Sequence, residues 1–167
     1  MNNRTKKIAF LAIAASAAMV LSYVELLIPP IYAALPAIKI GLPNVVIIFV
    51  LYRSGIKEAV CVSFIRLLLV TLLFGNLVML AYSVAGATLS ITAMAILKRF
   101  KAFSSIGVSV VGAVLHNLGQ ILMAILLLGT TAIGFYFPVL VFTGSIAGIL
   151  VGIMASILQQ RIKNNYT

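Results

Sequence analysis

Residues 59–74 read AVCVSFIRLLLVTLLF, an apolar run whose sole charge, Arg66, stands near its centre. Such a run, in a chain that carries several more like it, predicts a membrane-spanning helix, because one crossing takes about 20 residues of helix. A guanidinium at the middle of a spanning helix costs about 2.5–3.5 kcal/mol on insertion scales, so residues of this kind face a cavity, a partner or a ligand rather than lipid. One stretch therefore points both to the fold and to a site.

The composition around it agrees. Of 167 residues, 63% are hydrophobic and 8% are charged, against about 25% charged in a soluble domain, and the mean hydropathy is +1.24. Six apolar segments are predicted, over residues 8–27, 44–51 with flanks, 59–74, 78–97, 105–128 and 132–158. The second is short for a crossing and extends back toward Ile38, with Gly41 and Pro43 bending or breaking it. The first follows Lys6 and Lys7 as a signal peptide would, but its apolar stretch is longer than an h-region and further spans follow, so it is read as helix 1. The expected architecture is an all-α membrane protein, a six-helix transmembrane bundle in a single domain over residues 1–167. Four prolines between Pro29 and Pro43 stiffen the connection between helices 1 and 2, and residues 28–43 are read as an outer loop that caps a pocket.

The net charge is +10, which in a soluble protein would suggest nucleic acid and here must be read against the bilayer. Arg4, Lys6, Lys7, Arg53, Lys57, Lys98, Arg99, Lys101, Arg161 and Lys163 fall at alternate segment ends, leaving Lys39 on the other side and Arg66 within a span. This asymmetry predicts that both termini are cytoplasmic. It also argues against a small antiparallel dimeric exporter that inserts both ways, a reading that Glu25 near the end of helix 1 would otherwise invite. The lone Cys61 allows no internal disulfide.

Helix 5 carries the densest polar pattern. Ser109, Gly112, His116 and Gln120 share one face, with Asn117 beside it. Counted from the basic ends, Arg66 and His116 lie at comparable depth and Gln120 one turn further out. Helix 4 adds Tyr82, Gly86 and Ser90 at spacings of four, with Ser83 beside them. The candidate binding residues are Arg66, His116, Asn117, Gln120, Lys39, Asn44, Tyr82 and Glu25. With no Asp in the chain and only Glu25 and Glu58 as acids, a cavity shared by Arg66, His116 and Lys39 is expected to be electropositive and to take an anionic or electron-rich ligand. Gly144, Gly148 and Gly152 repeat every four residues on helix 6 and predict close helix packing, while Ala12, Ala14, Ser16 and Ala18 narrow helix 1 for either internal packing or an external partner.

The scarcity of acids removes most enzymatic readings. Polyprenyl diphosphate chemistry calls for clustered aspartates that hold Mg²⁺, since hard cations take oxygen ligands. There is no Gly-x-x-x-x-Gly-Lys-Ser/Thr loop for ATP, and one His with one Cys does not make a typical zinc site. A Ser-His-carboxylate triad would need Glu25 near His116, which spacing does not support. The chain is expected to bind rather than catalyse, without a metal or cofactor.

The stretches Pro36-Ala37-Ile38-Lys39-Ile40-Gly41-Leu42-Pro43-Asn44, Arg66, Tyr82-Ser83-Val84-Ala85-Gly86 and His116-Asn117-Leu118-Gly119-Gln120 resemble those of the Gx transporter family, often labelled heptaprenyl diphosphate synthase component I. More broadly, a six-helix chain of this size with a small-residue helix 1 resembles the substrate-binding S components of energy-coupling factor (ECF) importers. The resemblance implies a module in a bacterial cytoplasmic membrane that captures a small molecule from outside. Its implied partners are a transmembrane coupling protein and two cytoplasmic ATPase subunits, with Ala14 and Ala18 as the docking pair. An accessory membrane subunit of isoprenoid or quinone synthesis is the alternative from a different class, and a self-sufficient secondary transporter is a third.

Overall fold

The computed structural model describes residues 2–27, 41–100 and 102–164. Lys39 and most of the expected outer loop, residues 28–40, lie outside the described residues. The described chain is all-helical: α1 (Asn3–Leu27), α2 (Leu42–Arg53), α3 (Ile56–Phe74), α4 (Leu77–Arg99), α5 (Ser105–Leu128) and α6 (Phe137–Asn164), with a 3₁₀ segment, Thr131–Tyr136, leading into α6. These are the six expected helices. By length and composition four stretches are suited to cross a membrane: α1, α4, α5, and α6 with its 3₁₀ lead-in.

Helix ends follow local chemistry. Asn76 accepts the Met79 amide at 2.8 Å and opens α4, and Ser104 accepts the Gly107 amide at 3.1 Å and opens α5, each satisfying a donor that the first turn leaves without a partner. Gly55, at φ 113°, links α2 to α3 through a backbone conformation that side chains disfavour. Gly41 and Pro43 were expected to bend or break helix 2; Gly41, at φ 78°, caps the start of α2, and Pro43 sits in its first turn, where its missing N–H costs nothing.

α2 has 12 residues, about 18 Å at 1.5 Å per residue, short of the roughly 30 Å hydrocarbon core. It is apolar all round, and residues 45–51 are all buried. A helix without a polar face has to be enclosed, and α2 is packed against α1, α3 and α6. Ile48, Val50 and Leu51 form the core with Val62 of α3 and Val108 of α5. The outer surface of the bundle is equally apolar, with Leu72, Leu77, Leu126 and Phe135 at 74–87% exposure, as suits a face turned to lipid.

The α4–α5 and α5–α6 pairs are the most extensive contacts, and glycines make them. A Cβ at Gly119 would lie 2.6 Å from the Ala85 carbonyl oxygen, one at Gly148 would lie 2.6 Å from Val110 Cα, and one at Gly152 would lie 2.7 Å from Ile106 Cα. The Gly144, Gly148 and Gly152 repeat is thus an internal seam, as its spacing predicted. Basic residues of α1, α2 and α4 gather at one end of the bundle. Lys7 pairs with Glu58, Arg53 lies over the Phe10 ring at 5.9 Å, and Lys98 donates to the Leu51 carbonyl at 2.6 Å, closing the C-terminus of α2.

Ala14 and Ala18, the expected docking pair, are 6% and 0% exposed inside the core cluster with α2. Their small side chains let α1 close onto its neighbours. The small residues that α1 leaves exposed include Ala12 and Ser16.

Candidate functional site

A cavity of about 90 Å³ lies in the half of the bundle away from the Lys7–Glu58 contact, and all six α-helices line it. α3 supplies Arg66. α1 supplies Ser22 and Glu25, and α2 supplies Asn44 with Gly41 and Pro43. α5 supplies Ser109, His116, Asn117 and Gln120, α4 supplies Ser83, Ser90 and two methionines, and α6 supplies Gly144, Ala147 and Val151. Of the eight residues expected from sequence, the structure brings six together: Arg66, His116, Asn117, Gln120, Asn44 and Glu25. Lys39 lies outside the described residues.

Tyr82 is corrected. It is half-buried and does not line the cavity; its neighbour Ser83 does. One step along a helix turns a side chain by about 100°, and the face of α4 that turns inward is the one carrying Ser83 and Ser90.

Arg66 is 8% exposed. Its Nη1 donates to Ser22 Oγ at 3.1 Å, and Ser22 Oγ in turn donates to the Ala18 carbonyl at 2.8 Å, so α1 fixes the guanidinium from below. Arg66 Nε has no hydrogen-bond partner, and neither does Ser109 Oγ at 2% exposure. Buried polar groups are nearly always satisfied, which makes these two groups the most informative atoms of the cavity wall.

Glu25 accepts a hydrogen bond from the Gly41 amide. A carboxylate at the first turn of α2 is favourable, because the helix presents unpaired N–H groups and the positive end of its dipole there. Glu25 is also the opposite charge that acts on Arg66, although the two do not form a direct ion pair. The acidic and basic side chains on the described wall include one guanidinium, Arg66, and one carboxylate, Glu25. Glu25, one of the candidate binding residues, lines the same chamber as Arg66.

The α5 residues are held by glycines on either side. A Cβ at Gly86 would come within 2.9 Å of His116 Cε1 and 3.0 Å of its Nδ1, so the imidazole lies against bare α4 backbone. Asn117 Nδ2 donates to the Leu140 carbonyl at 2.9 Å, and a Cβ at Gly144 would stand 2.6 Å from that nitrogen. Asn117 thus ties α5 to α6 while lining the cavity. Ser22 escaped the sequence reading, although it stands three residues before Glu25 and so on the same face. Ser109 belonged to the polar stripe without being singled out as a binding residue.

The family description heptaprenyl diphosphate synthase component I matches residues 14–158. The chain belongs to this family. The heptaprenyl diphosphate synthase component I match takes in every residue that lines the cavity, from Ser22 to Val151, and agrees with the Gx transporter resemblance of the sequence motifs. No curated protein and no solved structure matches the chain.

The family's description suggests diphosphate chemistry, for which Mg²⁺ would be held by clustered carboxylates. The donor set here does not fit that ion. Glu25 and Glu58 are the only acids in the chain. Glu58 is joined to Lys7 near the start of α1, some 18 residues or about 27 Å of helix from Glu25. Among the described residues no group of three His, Cys, Asp or Glu side chains is placed to hold a metal.

Proposed function

We propose that this family member is the substrate-binding S component of an ECF-type importer in a bacterial cytoplasmic membrane, capturing a small anionic or electron-rich molecule from outside. The observation that carries this reading is Arg66, buried on a cavity wall with Nε unpartnered. A buried guanidinium that served only as structural glue would be expected to have its donors satisfied. Ligand sites are concave, with a few convergent polar groups on an otherwise apolar lining, and Arg66, Ser109, Asn44, His116, Asn117 and Gln120 supply those groups.

In this reading the chain is not an enzyme. Its transport step would be driven by partners, a transmembrane coupling protein and two cytoplasmic ATPases, since the sequence holds no nucleotide loop of its own. The coupling contact would fall on exposed α1 residues such as Ala12 and Ser16, because Ala14 and Ala18 are enclosed. The test is co-expression with a coupling protein and its ATPase pair, followed by purification through this chain. Recovery of the whole assembly, with uptake into vesicles that needs ATP, supports the reading.

The family's printed description favours a second reading, an accessory membrane subunit of isoprenoid or quinone synthesis. Retention of a soluble prenyltransferase, with no transporter subunits and no uptake, would favour it over the importer.

A further inference from the structure

α3 and α4 form a hairpin joined by Gly75 and Asn76, and between them a groove of about 150 Å³ opens on the outer surface of the bundle. Buried Ser63, Leu67, Ala87 and Ile91 make its floor, and Val60, Phe64 and Val84, at 38–54% exposure, make its rims. Its only polar side chains are three hydroxyls, those of Ser63, Thr88 and Thr92. Thr88 Oγ1 donates to the Val84 carbonyl of its own helix at 2.8 Å, so it is satisfied without an occupant. A cavity of this size with largely apolar walls takes a hydrocarbon group rather than water. The groove and the central cavity share Leu67 alone.

The two helix faces that make the groove continue into charge. Lys57 stands seven residues before Phe64 on α3, and Arg99 stands seven after Thr92 on α4. Seven residues are about two turns, so each cation lies on the groove face of its helix, at the basic end of the bundle. Both are exposed. Glu58, the acid at this end, is joined to Lys7. At 1.5 Å per residue, the groove runs from about 6 Å beyond the start of α3, at Val60, to about 22 Å from the end of α4, at Val84. In a hydrocarbon core about 30 Å thick, that is the path of an acyl chain from the basic surface to the middle of the bilayer.

A partner helix fits the groove less well than a lipid does. Helices meet in lipid through small residues that let their backbones approach, whereas the rims here are Val60, Phe64 and Val84, and the glycine of α4, Gly86, faces His116 of α5. A slender acyl chain enters where a helix about 10 Å across is held off. Cations above a hydrocarbon slot match the two parts of an acidic lipid. We propose that the α3–α4 groove binds an anionic phospholipid, with one acyl chain against Ala87 and Ile91 and the phosphate toward Lys57 and Arg99. The site is independent of the central cavity and of the importer reading.

The chain has no Trp, so a single introduced Trp reports on the lipid beside it. Phe64→Trp puts the probe on the groove rim. Met154→Trp puts it on the exposed surface of α6, seven residues from Arg161 as Phe64 is from Lys57. The full chain carrying either substitution is reconstituted in mixtures of phosphatidylcholine and phosphatidylglycerol, one of the two bearing brominated acyl chains that quench fluorescence. Thermal melting checks each fold, and Val60→Trp replaces Phe64→Trp if that variant is unstable. Phosphatidylglycerol is expected to be preferred at Phe64→Trp by about 5- to 30-fold, as one or two cations at a membrane surface provide, and by less at Met154→Trp. Adding Lys57→Gln and Arg99→Gln is expected to abolish the preference, and Ala87→Leu, which fills the floor, to lower it to the value at Met154→Trp. Equal preference at the two positions overturns the groove as a site, as does a preference that survives either set of substitutions. Weak quenching at Phe64→Trp by both lipids means that protein covers the groove, and overturns the lipid in favour of a partner helix.

Discussion

Arg66 on α3 and Glu25 on α1 face the same cavity without closing onto each other. Each is held by a different contact: Arg66 by the Ser22 hydroxyl, Glu25 by the Gly41 amide at the start of α2. Both charges thus line one chamber through separate contacts, and the low dielectric there strengthens the electrostatics of each.

Replacing Arg66 with Gln removes the charge and the unpartnered Nε. Binding of whichever compound the protein retains is expected to weaken by about 10- to 150-fold, the equivalent of a hydrogen bond to a charged group at about 1.5–3 kcal/mol. The unliganded protein is expected to stay folded, since a buried charge without a close counter-ion is removed with it. Calorimetry paired with thermal unfolding separates the two effects; unchanged affinity in a folded variant would leave Arg66 a structural role only.

The helix seams predict a contrast between two glycines. Gly148→Ala would drive a Cβ to 2.6 Å from Val110 backbone, whereas at Gly107 the nearest atoms are ordinary contacts at 3.6 Å and beyond. The first is expected to lower stability by about 1–3 kcal/mol, and the second to be neutral or mildly stabilising, as Ala favours helix over Gly by about 1 kcal/mol. Thermal melting in one detergent checks the order.

Asn117 and Gly144 should behave as a coupled pair. Asn117→Ala removes the bond to the Leu140 carbonyl, an interhelical contact of about 0.6–2 kcal/mol in a membrane protein. Gly144→Ala alone collides with the Asn117 amide. In the double variant that collision is gone, so its destabilisation is expected to be smaller than the sum of the two singles. A double-mutant cycle on unfolding free energy measures this.

Tyr82 and Ser83 provide a test of the inward face of α4. Tyr82→Phe is expected to leave ligand affinity within about twofold, because Tyr82 does not line the cavity. Ser83→Val fills part of the lining and is expected to weaken binding. Affinity measured for both variants against the same compound decides it.

Much of the site was legible in the sequence because helical spacing and depth survive folding. His116, Asn117 and Gln120 share one region of α5, and counting from the basic ends set them level with Arg66; the structure brings all four to one cavity. Rotation about a helix was less legible where candidate residues adjoin. Tyr82 and Ser83 are one step apart, and only the packing of α4 on α5 selects Ser83. Helix 1 posed the same difficulty, with small residues on more than one face, and the enclosed face proved to be that of Ala14 and Ala18. Glu25 was among the candidates, but its place beside Arg66 was not legible. Its separation from Arg66 in sequence gave no hint that α1 and α3 would present both charges to one chamber.

The short, enclosed α2 bears on how the protein is made. With 12 residues it lacks the length to settle across a bilayer as an independent span, and its walls include α6, the last of the described helices in chain order. The seat of α2 is therefore complete only once α6 stands beside it. The chamber it helps to wall, through Asn44 and Ile48, also takes Gly144, Ala147 and Val151 from α6, so a chain truncated before α6 would lack part of that wall.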